Sequence, residues 1–117
     1  MSRSGDTGLL GEQLAAAYLE QRGMRLVESR YRCRFGEIDL VAWDGETLCF
    51  VEVKIRTSCA VGLPRESVTA KKREKLRAAA LSYLSERGLD CPARFDVAEV
   101  YLKAGRKARI DYMENAF

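Results

Sequence analysis

The chain has 117 residues, 47% hydrophobic and 32% charged, with a net charge of +3. That length sets the expectation of a single domain over 1–117 with a real core, and the apolar cluster after Met1, Leu9-Leu10, is too short for a signal peptide or membrane span. A cytoplasmic protein with no membrane association is expected. No histidine is present. Ser-His-Asp and Cys-His nucleophiles are therefore excluded, and any catalysis must rest on carboxylates, lysines, tyrosines or a metal.

Cys33, Cys49, Cys59 and Cys91 are widely spaced with no CxxC pair. They are read as reduced thiols, and Cys49, inside a strand pattern, as a small hydrophobe. A zinc site would need all four to converge.

Residues 1–8 are small and polar and are expected to be loose. A helix is predicted from about Leu9 to Arg22, ended by Gly23. Leu10, Leu14 and Tyr18 form one apolar stripe; Ala15, Ala16 and Leu19 form another, with Glu12 on that second face. Taken locally, Glu12 reads equally as a first-turn carboxylate stabilising the helix dipole or as a functional acid.

Strands are predicted over Met24–Tyr31, Glu37–Trp43 and Thr47–Arg56, then a loop with Gly62 and Pro64. A helix follows over about Thr69–Arg87 with Gly88 as its stop, its buried stripe being Leu76, Ala80, Tyr83 and Leu84. Strands over Arg94–Leu102 and Arg109–Met113 close the chain. The order αβββαββ indicates an α/β fold with a mixed central sheet flanked by helices.

Strand parity carries the functional reading, because side chains alternate across a sheet. On the third strand Cys49, Val51, Val53 and Ile55 form an apolar face. Leu48 and Phe50 share the other with Glu52, Lys54 and Arg56. On the second, Ile38, Leu40 and Ala42 are the apolar face, and Glu37, Asp39, Val41 and Trp43 the opposite one. A two-residue turn at Asp44-Gly45 sets Asp39 opposite Phe50 and diagonal to Glu52, whereas a four-residue loop sets it directly opposite Glu52. Either register puts Asp39, Glu52 and Lys54 on one face. Two close carboxylates repel unless a cation lies between them, and Mg²⁺ (or Mn²⁺) suits oxygen donors.

Basic residues flank this motif. They are Arg22, Arg25, Arg30, Arg32 and Arg34 before it, Lys71, Lys72, Arg73, Lys75 and Arg77 at the second helix, and Lys103, Arg106, Lys107 and Arg109 around Gly105. Most surface charge is merely solvated, but three groups around one acidic motif favour phosphate contacts. Arg32, Arg34, Arg56, Lys71 and Lys72 are the residues expected to meet nucleic acid, with free helix N–H groups supporting the two lysines.

Gly8-x-x-Gly11-Glu12, Tyr18-Leu19, Tyr31-Arg32, Gly36-Glu37-Ile38-Asp39-Leu40, Phe50-Val51-Glu52-Val53-Lys54-x-Arg56 and Asn115-Ala116-Phe117 together resemble the YraN family, also called UPF0102, over nearly the whole chain. That family is similar to the PD-(D/E)xK, or restriction-endonuclease-like, nucleases, with archaeal Holliday-junction resolvases among its nearest relatives. The resemblance implies a nuclease core in which Asp39 and Glu52 bind metal, Lys54 assists and Glu12 completes the acidic cluster. It matches Lys72 to a lysine common in the family. Arg30 departs from the family's usual asparagine, a difference expected to bear on a flanking loop. The function expected is a metal-dependent endonuclease acting on DNA, branched or structured DNA included, with a homodimer as a candidate state. The alternatives are a nucleic-acid-binding module without turnover and a structural subunit that meets a protein partner.

Overall fold

The computed structural model describes residues 5–56 and 69–117. The expected loop at Gly62 and Pro64, Cys59 and residues 1–4 lie outside them. Seven elements occur in the anticipated order: α1 (Gly5–Gln21), β1 (Arg25–Cys33), β2 (Gly36–Asp44), β3 (Thr47–Arg56), α2 (Ala70–Arg87), β4 (Ala93–Tyr101) and β5 (Arg109–Met113). The fold is α/β. One sheet runs β1-β2-β3-β4-β5, antiparallel throughout except for the parallel β3–β4 pair.

The helices cover opposite faces of the sheet. Ala15 and Leu19 of α1 pack with Leu40, Ala42, Cys49, Val51, Val53, Ala98 and Val100. Leu76, Ala79, Ala80 and Tyr83 of α2 pack with Tyr31, Ile38, Val41, Leu48, Phe50 and Val97. The alternation in β3 is as expected, with Cys49 and Val51 under α1 and Leu48 and Phe50 under α2. Cys49 is fully buried, and burial pushes its thiol up to about 12.

Helix ends follow local chemistry. The Thr69 side chain accepts from Lys72 N at 3.2 Å, and Gly88 closes α2 in the left-handed conformation. The first helix starts at Gly5, four residues before the expected Leu9, so part of the segment read as loose is helical. Leu10, expected in an apolar stripe, is 46% exposed. The buried side of α1 is instead Gly8, Gly11, Glu12, Ala15 and Leu19. Small residues there bring the helix close to the sheet: a Cβ on Gly11 would stand 2.5 Å from Ile55 Cδ1.

Two departures centre on Asp39. The expected apolar face Ile38-Leu40-Ala42 is broken, because Ile38 joins the α2 cluster while Leu40 and Ala42 lie under α1. Across from this break, between the Ser29↔Leu40 and Tyr31↔Ile38 pairs, Arg30 takes a left-handed φ of 55°. Alternation along β2 fails across from the left-handed Arg30. Arg30 therefore lies inside β1, and not on a flanking loop.

Candidate metal and nucleic-acid site

The β2–β3 hairpin pairs Asp44 with Thr47 and runs to Leu40↔Val51, where the ladder stops. Continuing this register sets position 39 across from 52, the outcome expected of the four-residue loop, although the turn is Gly45-Glu46. Beyond Leu40 a side chain takes over from backbone pairing: Asp39 Oδ2 accepts from Val53 N at 2.8 Å. The two strands part there. β2 continues with β1 alone, while β3 continues with β4 through Glu52↔Val97, Lys54↔Glu99 and Arg56↔Tyr101.

Asp39 and Glu52 are both buried, at 4% and 5% exposure. Burial, and next the negative charge of Asp39, raise the Glu52 carboxyl above its ordinary value, while Lys72 and Lys54 act the other way. Lys72 Nζ reaches in from the first turn of α2 to 2.5 Å from Glu52 Oε2. The half-buried Lys54 follows Glu52 on the same face of β3.

Glu12 is also buried, which decides against an ordinary solvent-facing dipole partner. Its Oε1 accepts from Arg30 Nε at 2.7 Å. The unusual backbone at Arg30 thus serves to carry a guanidinium from β1 to a carboxylate on α1. Among the described residues, no three acidic or cysteine side chains are gathered closely enough to hold a metal ion. The structure brings Asp39, Glu52, Lys54 and Lys72 together, and it engages Glu12 with Arg30.

Glu99 went unnoticed in the sequence. It is 1% exposed, receives Arg56 Nη2 at 3.1 Å and Tyr101 Oη at 3.0 Å, and pairs in register with Lys54. An acid in the middle of the apolar run Val97-Ala98-Glu99-Val100 was the available signal. Its use becomes visible only once β3 and β4 are set parallel, with Arg56 beside it. Asp96, fully buried, serves a different purpose. It accepts from Arg94 Nε at 3.1 Å, Tyr112 Oη at 2.5 Å and Asn115 N at 3.0 Å, which ties the last residues to β4.

The basic groups sort by topology. The β1–β2 turn with Arg32 and Arg34, the start of α2 with Lys71 and Lys72, and the β4–β5 connection with Lys103, Arg106 and Lys107 lie at the end of the sheet toward which β3 and β4 point. Glu52, Lys54 and Arg56 occupy that same end. Arg22 and Arg25 do not: Arg25 pairs with Trp43 at the opposite end, and Arg22 bonds Glu114 at 2.6 Å.

These features define a mixed-sheet α/β domain with buried carboxylates at the carboxyl ends of its parallel strands. The chain belongs to the family described as "Uncharacterised protein family UPF0102", whose model matches residues 11–100. A UPF0102 protein of Syntrophus aciditrophicus is 49% identical over 118 residues, covering 100% of this chain and 92% of its own length. One from Geobacter sulfurreducens is 46% identical, covering 94% of this chain and 87% of the relative. Among solved structures, Archaeoglobus fulgidus Hjc, a Holliday junction resolvase from an archaeal hyperthermophile, matches with a TM-score of 0.46 and 21% identity, over 85% of this chain and 73% of that one. No helix among the described residues is long and apolar enough to cross a membrane.

Proposed function

We propose that this protein hydrolyses phosphodiester bonds in DNA with a divalent ion, Mg²⁺ or Mn²⁺, held by Asp39 and Glu52. The observation that carries this reading is the buried pair itself: burial and the Asp39 charge raise the Glu52 carboxyl. The two acids draw cations, as the Lys72 ammonium 2.5 Å from Glu52 Oε2 shows, and their donors are all oxygen. Mg²⁺ is commonly bound by one or two carboxylates, keeping waters and taking substrate phosphate oxygens, so a two-acid site fits it. The ion would supply Lewis acidity toward a water and the scissile phosphate.

The chain's own residues supply the rest. Asp39 is fixed by Val53 N, so its carboxylate is oriented before any ligand arrives. Lys54, on the same face of β3 as Glu52, would donate to phosphate oxygens as their charge builds. Glu99, paired with Lys54 and bonded to Arg56, holds the cationic end of β3 in place. Lys72 neutralises Glu52 without the ion and is free to turn to a phosphate once a metal replaces it. Glu12, whose Oε1 is held by Arg30, would join the acidic set through its other oxygen or on leaving Arg30. Arg32, Arg34, Arg56 and Lys71 line the approach for the DNA backbone. A homodimer would offer one such site to each strand of a duplex.

The second reading is a DNA-binding module without turnover. It is favoured by the cations already bonded to Glu52 and Glu12, which let these acids persist without a metal. The deciding experiment incubates purified protein with Mg²⁺ and with Mn²⁺ on single-stranded, duplex and branched DNA. Metal-dependent cleavage lost in Asp39→Asn supports the nuclease. Tight, salt-sensitive binding with no cut strand supports the module.

A further inference from the structure

The turn between β1 and β2 is Arg34-Phe35, flanked by the Cys33↔Gly36 pair. Two-residue hairpin turns favour asparagine and glycine for their positive φ. Neither Arg34 nor Phe35 adopts positive φ, and Gly36 takes the unusual conformation instead, at 146°. Turn geometry therefore does not call for an aromatic here.

Nor does packing. Phe35 is 40% exposed and belongs to neither core cluster. Its ring is covered on one side by the Arg34 guanidinium, 4.9 Å from the ring centroid. Arg32, at 73% exposure, stands two residues before Arg34 on the same hairpin. The site lies toward the same end of the sheet, because Asp39 follows Phe35 by four residues in β2. At strand spacing that is about 13 Å, close to four nucleotide steps at duplex rise.

We propose that Phe35 is a stacking platform for an unpaired DNA base, with Arg32 and Arg34 holding the adjoining phosphates, so that the strand presented to Asp39 and Glu52 adjoins a single-stranded segment. An exposed ring backed by a guanidinium offers the two contacts an unpaired nucleotide can use: a π-face for its base and cations for its backbone. Within a paired duplex both faces of each internal base are already stacked on its neighbours. The turn that bears the ring lies beyond the end of the β2–β3 ladder, which stops at Leu40↔Val51. This subsite rests on the DNA-binding reading above, and it makes a claim of its own about which DNA is preferred.

The test uses the full chain in EDTA, so that binding is measured apart from cleavage. Fluorescence anisotropy compares a blunt duplex with the same duplex carrying a single-stranded tail. 2-Aminopurine is placed at successive tail positions to report stacking. Wild type is expected to bind the tailed duplex about tenfold tighter, with a fluorescence change at one tail position. Phe35→Ala should bring tailed affinity down to the blunt value and abolish the signal. Phe35→Trp should retain both. Unchanged circular dichroism and thermal midpoint would confirm that the variants fold. An equal preference in wild type and Phe35→Ala overturns the stacking site while leaving DNA binding intact. Loss of self-association by sedimentation in Phe35→Ala, with tail preference unchanged, overturns it in favour of a contact between two copies. If wild type binds neither DNA, the functional reading fails with it.

Discussion

Lys72 Nζ stands 2.5 Å from Glu52 Oε2, which joins the first turn of α2 to the middle of the sheet. Lysines at a helix start oppose the helix dipole. Here the carboxylate compensates for that, so a residue read from sequence as a phosphate contact is also bound to the candidate metal site. Lys72 is 43% exposed, and solvent screening limits the pair to about 0.5–1 kcal/mol. Lys72→Ala should lower metal-free stability by that amount in urea melts and weaken DNA binding across sequences. It should also tighten Mg²⁺ binding several-fold by calorimetry, because a competing cation has gone. Unchanged metal and DNA affinities would remove Lys72 from the site.

Asp39 has both a structural and a chemical role, and two substitutions separate them. Asp39→Ala leaves the buried Val53 N–H without its acceptor, a loss of about 1–3 kcal/mol. Asp39→Asn keeps an acceptor and should cost less. Both are expected to abolish metal-dependent cleavage, while DNA affinity in Asp39→Asn stays near wild type. Residual cleavage by Asp39→Asn at the wild-type rate would exclude Asp39 as a metal ligand.

Glu52 should make stability depend on pH. Its carboxyl is raised by burial and by Asp39, so the folded chain holds this proton more tightly than the unfolded chain. At pH below the unfolded pKa both states are protonated and Glu52 costs nothing. As pH rises past that value the unfolded state ionises first, and stability falls until the folded pKa is passed. In metal-free protein Glu52→Gln should therefore raise the urea midpoint at neutral pH, with the gain shrinking toward acid. A gain independent of pH would contradict this account.

Gly11 sets how closely α1 approaches β3. A Cβ there would meet Ile55 Cδ1 at 2.5 Å and Cγ1 at 2.6 Å. Gly11→Ala is expected to cost about 1–3 kcal/mol through overpacking. The double variant Gly11→Ala/Ile55→Ala should be more stable than the sum of the single changes implies, as measured by a double-mutant cycle. Additive effects would show that α1 simply shifts.

Glu99 anchors Arg56 of β3. Glu99→Ala should destabilise by about 2 kcal/mol, because a buried acceptor of Arg56 and Tyr101 is lost. Glu99→Gln should retain part of that. The nuclease reading also expects slower cleavage in both variants, with metal affinity preserved.

Much of this architecture could be read from residue pattern alone. The apolar face of β3, the glycine stop of α2 and the shared face of Glu52 and Lys54 all follow from short-range periodicity. What escaped depended on partners distant in sequence. Alternation predicts Ile38 beside Leu40, but across from the left-handed Arg30 it fails and Ile38 packs under α2. The Asp-Gly signal located the turn without fixing its register, because Gly45-Glu46 and Asp44-Gly45 are both compatible with local chemistry. Glu99 looked like an interruption of a strand until its parallel neighbour supplied Arg56.

The early end of the β2–β3 ladder divides the protein's labour. Past the packed Tyr31↔Ile38 pair the β1–β2 hairpin has no β3 partner, so its tip at Arg34 and Phe35 can change without re-registering the packed interior, whereas Asp39 sits where β2 joins the core. Evolution can thus vary the hairpin tip while Asp39, Glu52 and Lys54 keep their mutual positions.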